Sequence, residues 1–162
     1  MTSILKVSEI QDPTNSNTAL TIDSAGRVIM PQKPHVNVDF GGTGAYLSHS
    51  ANDVVKFDTV YAGDASFFNT STYKFTCPVD GVYMATIHLL IQTATSNDIA
   101  LYKNGVYQNA NYHQSERRVS GVNMVLCSAG DEIYYVSGPL AYWDGSAAGG
   151  GRYSHGSFTL IG

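Results

Sequence analysis

No stretch of this chain sustains apolar residues at the 3.6-residue spacing of a helix, and that feature narrows the fold more than any other. From His35 onwards, short runs rich in β-branched and aromatic residues follow one another, separated by loops of Gly, Ser and Asn. His35 to Phe40 alternates apolar with polar, Val54 to Val60 is the next run, and Tyr73 to Cys77 alternates until Pro78. Gly81 to Ile91 is the longest apolar run, and its composition favours a central strand over a helix. Ile99 to Lys103 then meets Asn104-Gly105, a strong hairpin signal, and Val106-Tyr107 resumes beyond it. Val119 to Cys127, Glu132 to Val136 and Tyr153 to Ile161 complete the set. About eight to ten short strands at this spacing imply an all-β sandwich or jelly roll.

The first 33 residues read differently. Met30-Pro31-Gln32-Lys33-Pro34 has two prolines and no apolar run, which favours an extended linker. Before it, Ala19 to Ile22 and Arg27 to Met30 flank the turn Asp23 to Gly26 and read as a small hairpin. An arm this short, with so few large side chains, cannot bury a core alone and must be disordered or held by another chain. The expectation is therefore an extended, β-prone arm over residues 1–33 and a β domain over residues 34–162. Leu5, Val7, Ile10, Leu20, Ile22 and Val28 are the side chains with which the arm would dock.

Charge and composition exclude several classes of function. Only 14% of the residues are charged, well below the usual quarter. That leans towards a protein that buries much of its surface against other copies. The net charge is −4 and the basic residues form no stripe, so nucleic acid is not an expected partner. No apolar stretch approaches the roughly 20 residues of a membrane span, so no membrane insertion is expected. The opening residues lack the order of a signal peptide, so no secretion address is expected. Cys77 and Cys127 stand as two small buried hydrophobes or as one disulfide.

Tyr73-Lys74-Phe75-Thr76-Cys77-Pro78-Val79-Asp80-Gly81-Val82-Tyr83 resembles the C1q family, with its aromatic strand, Cys-Pro-Val, turn, Gly and Tyr. Leu101 to Gly105, Leu126 with Ala129 to Ile133, and Gly156 to Ile161 resemble further family elements in the same order. The sequence departs from the pattern at His155, inserted in the last strand, and at the Gly-rich stretch 144–151. The resemblance implies a C1q/TNF-like ten-stranded jelly roll that forms tight homotrimers, has no catalytic activity, and presents loops to proteins, carbohydrates or surfaces. Leu5 to Pro13, followed by Ala19 to Val28, resembles the opening of tailed-bacteriophage fibre and virion-appendage proteins. That second resemblance implies a short tail fibre or a head or tail decoration at the virion surface. Its arm would bind other virion proteins, and its jelly roll would face a host glycan or protein. A free C1q-like lectin and a capsid or tail cement protein are the alternatives.

No catalytic or metal-binding pattern emerges. The five histidines show no helical zinc spacing, no Cys-x-x-Cys occurs, and no Gly-x-Ser-x-Gly elbow is present. No enzyme activity, cofactor or metal is expected. Gly41 to Gly44 reads as a flexible loop, and Asp58, Asp64 and Asp98 as solvated turn residues. Two stretches could bind a ligand. Tyr142 and Trp143 form a sugar-stacking platform or protein contact, or else cap the jelly roll or pack at the trimer seam. Asn111, Tyr112, His113 and Arg117 lie in a polar stretch, Asn109 to Arg118, that reads as a binding loop or a solvated hairpin tip.

Overall fold

The computed structural model describes residues 7–11, 14, 18–30, 33–41, 46–50, 52–138, 140–143 and 153–162, and among these the regular elements are strands apart from one short 3-10 turn, Ala65–Phe67. The chain divides into two units, Met1–Lys33 and Pro34–Gly162. In the first, β1 (Glu9–Gln11), β2 (Thr18–Ile22) and β3 (Val28–Ile29) form an antiparallel sheet in the order β1-β2-β3. The expected hairpin is present, with a third strand added. Asp23 builds its turn: one carboxylate oxygen accepts from the Ala25 and Arg27 backbone N–H groups at 2.9 Å, the other from Arg27 Nε at 2.7 Å. Gly26 at φ 77° supplies the left-handed step. The registers Ile10↔Leu20 and Ile22↔Val28 set these four side chains on one face, where Val28 is 60% exposed. Val7 is exposed too, and Leu5 lies outside the described residues.

The second unit runs β4 (His35–Asp39), β5 (Tyr46–His49), β6 (Asp53–Val54), β7 (Thr59–Gly63), β8 (Phe68–Asn69), β9 (Lys74–Thr76), β10 (Gly81–Lys103), β11 (Val106–Cys127), β12 (Glu132–Ser137), β13 (Leu140–Trp143) and β14 (His155–Leu160). Its frame is the hairpin of β10 and β11, which passes through both layers of a sandwich. The first half of β10 lies between β14 and the second half of β11, and β4 and β7 continue that sheet. The second half of β10 lies between the first half of β11 and β12, with β9 and β8 beyond. Register shifts between Leu90 and Asn97 mark where the pair leaves one sheet for the other.

Strand alternation explains the core. Along β10, Tyr83, Ala85, Ile87, Leu89 and Ile91 are buried while their neighbours are half-buried, the period-two pattern of a strand with one face inward. Rings lock the two sheets together: Phe158 of the first stacks on Phe75 of the second, with centroids 5.3 Å apart and planes 11° apart. This is an all-β jelly-roll sandwich. At the hairpin turn Asn104 and Gly105 both have positive φ, 49° and 82°, as a tight two-residue turn requires.

Four local expectations are corrected. Gly81 to Ile91 and Ile99 to Lys103 belong to one strand, because the chain bends between sheets without leaving its ladder. Asn109 to Arg118 is no loop but the interior of β11, paired along β10. Val54 to Val60 divides into β6 and β7, with Val55 and Phe57 buried in the irregular segment between them. Asp98 lies within β10, whereas Asp58 and Asp64 do support turns, accepting from Gly41 N–H at 2.6 Å and Ser66 N–H at 2.9 Å. Residues 42–44 of the Gly41 loop and the Gly-rich stretch 144–151 lie outside the described residues.

Candidate functional site

Both alternating sets of the second half of β11 are apolar, and only one can face the core. Val125 and Cys127 point inward with Asn123, while Val122, Met124 and Leu126 point outward and are 61%, 62% and 70% exposed. On β10, Thr86, Met84 and Val82 stand directly opposite them. The outer face of the first sheet thus carries a contiguous apolar stripe across two strands. A contiguous exposed apolar patch of this kind marks a contact site. A strand apolar on both faces is the pattern of one covered on both sides. That signal was present in the sequence between Val119 and Cys127.

Beyond the stripe the same face turns polar. The registers set Ser120, His88, His155 and Asp39 in one row across β11, β10, β14 and β4. His88 Nδ1 lies 2.6 Å from Ser120 Oγ, and the two imidazoles stack with centroids 5.2 Å apart. His155 Nδ1 is shut from solvent with no hydrogen-bond partner. Burial first, then the His155 ring and Arg118, holds His88 below the ordinary imidazole range. A histidine whose folded-state pKa is depressed leaves the unfolded chain binding more protons, so its contribution is complete above the ordinary value and falls as pH drops below it. The urea midpoint is expected to drop between pH 7.5 and pH 5, and His88→Gln to flatten that dependence. Asp39, across from His155, and Arg118 complete the charged surroundings.

The sequence candidates separate in space. Asn111 turns inward, and its Nδ2 donates to Asn123 Oδ1 at 2.8 Å. Tyr112 points outward, is 66% exposed and stands opposite Asp98 on the second sheet. His113 pairs with Asn97 in the ladder. Arg117 Nε donates to the Ile91 carbonyl at 3.4 Å, and Tyr142 is the ladder partner of the same Ile91. Tyr142 and Trp143 belong to β13, opposite Leu47 and Tyr46 of β5, where the sequence suggested a loop. The fold therefore brings the Arg117 and Tyr142 positions to one bend of β10 and sends Tyr112 elsewhere. Both cysteines are buried free thiols whose pKa burial raises. Among the described residues no three His, Cys, Asp or Glu side chains gather as metal ligands, and no helix is long and apolar enough to cross a membrane.

The bent two-sheet jelly roll has the fold of C1q/TNF-type β domains. Residues 43–152 match the C1q domain, and the chain belongs to that family. It is 34% identical over 83 residues to the mouse complement C1q and tumor necrosis factor-related protein 9, covering 49% of this chain and 25% of that protein. It is 31% identical over 88 residues to human complement C1q and tumor necrosis factor-related protein 9A, covering 52% of this chain and 26% of that protein. The chain thus spans about a quarter of the length of these relatives. Among solved structures, the globular domain of zebrafish complement 1qA superimposes with a TM-score of 0.53 at 16% identity, over 80% of this chain and 96% of that one. Murine APRIL gives a TM-score of 0.57 at 10% identity, over 80% and 100%. These likenesses concern the fold.

Proposed function

We propose that this C1q-domain chain is a non-catalytic module that assembles as a homotrimer and displays its jelly roll for adhesion, with residues 1–33 docking it on a larger particle. The observation that carries the reading is the stripe of Val122, Met124 and Leu126. Each such side chain gains about 1.5–3 kcal/mol on full burial, so a face that covers all three has a strong drive to associate. A second copy is the occupant the composition favours, because a surface with so few charged residues suits self-burial. The trimer is the assembly that the C1q resemblance implies. In its fuller form the reading places the protein on a bacteriophage virion, as a short tail fibre or a head or tail decoration exposed at the virion surface. Its support is the resemblance of Leu5 to Val28 to phage appendage proteins, together with a face of Ile10, Leu20, Ile22 and Val28 on a sheet too small to bury it. A second reading, a free adhesion module for carbohydrate or protein ligands, is favoured by the exposed Tyr107 and Tyr112 on the second sheet.

Light scattering on the full chain and on residues 34–162 tests the assembly. Both are expected at the mass of three protomers, and a monomeric 34–162 would overturn assembly through the sheet face. Particles complemented with the truncated chain are expected to lack it, and its retention would refute the docking arm.

A further inference from the structure

We propose that the polar row of Ser120, His88, His155 and Asp39 makes the assembly face acid-labile, so that neutral imidazoles admit a second copy and protonated ones expel it. This regulation rests on the homotrimer reading, because the row matters only where another copy covers the sheet. Its place on the face follows from the register. His88 lies two residues beyond Thr86 on β10, and Ser120 two before Val122 on β11, so strand alternation sets both on the outer side with the apolar stripe. His155 and Asp39 continue the row on β14 and β4. In the neighbouring row, Thr86 Oγ1 and Ser157 Oγ lie 2.7 Å apart. Successive rows on one face are about 7 Å apart. A copy broad enough to cover Val122, Met124 and Leu126 therefore lies against the imidazoles as well.

The row is suited to staying uncharged. The two rings stack with centroids 5.2 Å apart and planes 27° apart, so a proton on one repels a proton on the other. His88 Nδ1 lies 2.6 Å from Ser120 Oγ, a hydroxyl that can donate or accept and so serves either protonation state. His155 Nδ1 is shut from solvent with no hydrogen-bond partner among the described residues, and a proton there would go unsolvated. The charged groups around His88 come from three strands. Arg118 of β11 stands opposite Leu90, two residues beyond His88 on the same side, and adds to the repulsion. His155 comes from β14, and beyond it Asp39 of β4 is the carboxylate, 8% exposed. Arg118 and Asp39 balance formally, and each imidazole protonated adds a positive charge that the rest of the row does not offset. Covering the row removes the water that would solvate those charges, so protons and a second copy compete for one surface. Association is complete above the ordinary imidazole range and weakens as the pH falls through and below it.

The test is light scattering on the full chain through a dilution series at pH 7.5 and pH 5. Circular dichroism is recorded beside it, and exchange of fluorescently labelled protomers is followed where the trimer survives dilution. The concentration of half-assembly is expected to rise about tenfold or more on acidification, or exchange to quicken by as much, with the dichroism retained. His88→Gln and His155→Gln, which stay polar and take no charge, should each shrink that ratio and together abolish it. His88→Lys, which carries a charge at both pH values, should weaken assembly already at pH 7.5. An equal acid response in the wild type and in the doubly substituted chain would overturn the switch and put the sensitive group elsewhere, leaving the trimer standing. A trimer equally firm at both pH values would overturn it too. A wild-type chain already monomeric at pH 7.5 would overturn the homotrimer reading itself, and the regulation with it.

Discussion

Phe158→Ala is expected to lower the stability of the jelly roll by about 3–5 kcal/mol, the usual cost of emptying a buried aromatic site. The ring is 1% exposed and belongs to β14 of the first sheet, yet its ring neighbours come from the second. It stacks on Phe75 and Phe68, with centroids 5.3 and 6.0 Å away, and tilts against Tyr135 at 6.2 Å. Removing it therefore opens a cavity between the layers rather than within one, and neither sheet can close the gap without sliding on the other. Domains of this size are stable by about 5–15 kcal/mol in total, so the variant should unfold at a much lower urea concentration. Phe158→Leu, which keeps most of the volume, should recover more than half of the loss. The comparison is made at one protein concentration, because a self-associating chain gains apparent stability by mass action. A loss below about 1 kcal/mol, in the range of surface substitutions, would mean that the inter-sheet rings are not the centre of the core.

Local chemistry was legible in the sequence wherever a residue acts on its neighbours. Asn104-Gly105 announces its turn by backbone preference, and Asp23 folds the arm hairpin by capping residues two and four places on. What could not be read depends on residues far apart in the chain. Asn111 belongs to a polar stretch that reads as a loop, but it is inside the sandwich because Asn123 and Tyr135 await it there. Tyr135 Oη donates to Asn123 Oδ1 at 3.0 Å, on the atom that Asn111 also reaches. Three polar groups satisfied together cost little to bury, whereas each alone would be expelled. The apolar stripe is written in the sequence as a strand with no polar face, Val122, Met124 and Leu126 alternating with Val125 and Cys127.

The double substitution Met124→Lys with Leu126→Lys is expected to convert the proposed trimer into folded monomers. In the lone protomer these side chains are 62% and 70% exposed and point away from the core, so lysines there disturb no packing and reach water freely. In an assembly that covers the stripe, each protomer would bring two unpaired ammonium groups into an apolar contact. Desolvating even one costs several kcal/mol, and the apolar gain that drove association is removed as well. Circular dichroism should be unchanged while the light-scattering mass falls to one protomer, the reverse of the Phe158→Ala pattern, in which the fold itself is weakened. Tyr112→Lys is the control. That residue is 66% exposed on the outer face of the other sheet, so added charge there should leave the mass untouched. The pair of results separates an effect of position from a general effect of charge. A trimer that tolerated both lysines would leave Val122, Met124 and Leu126 facing water, and the contact between copies would have to lie on another face.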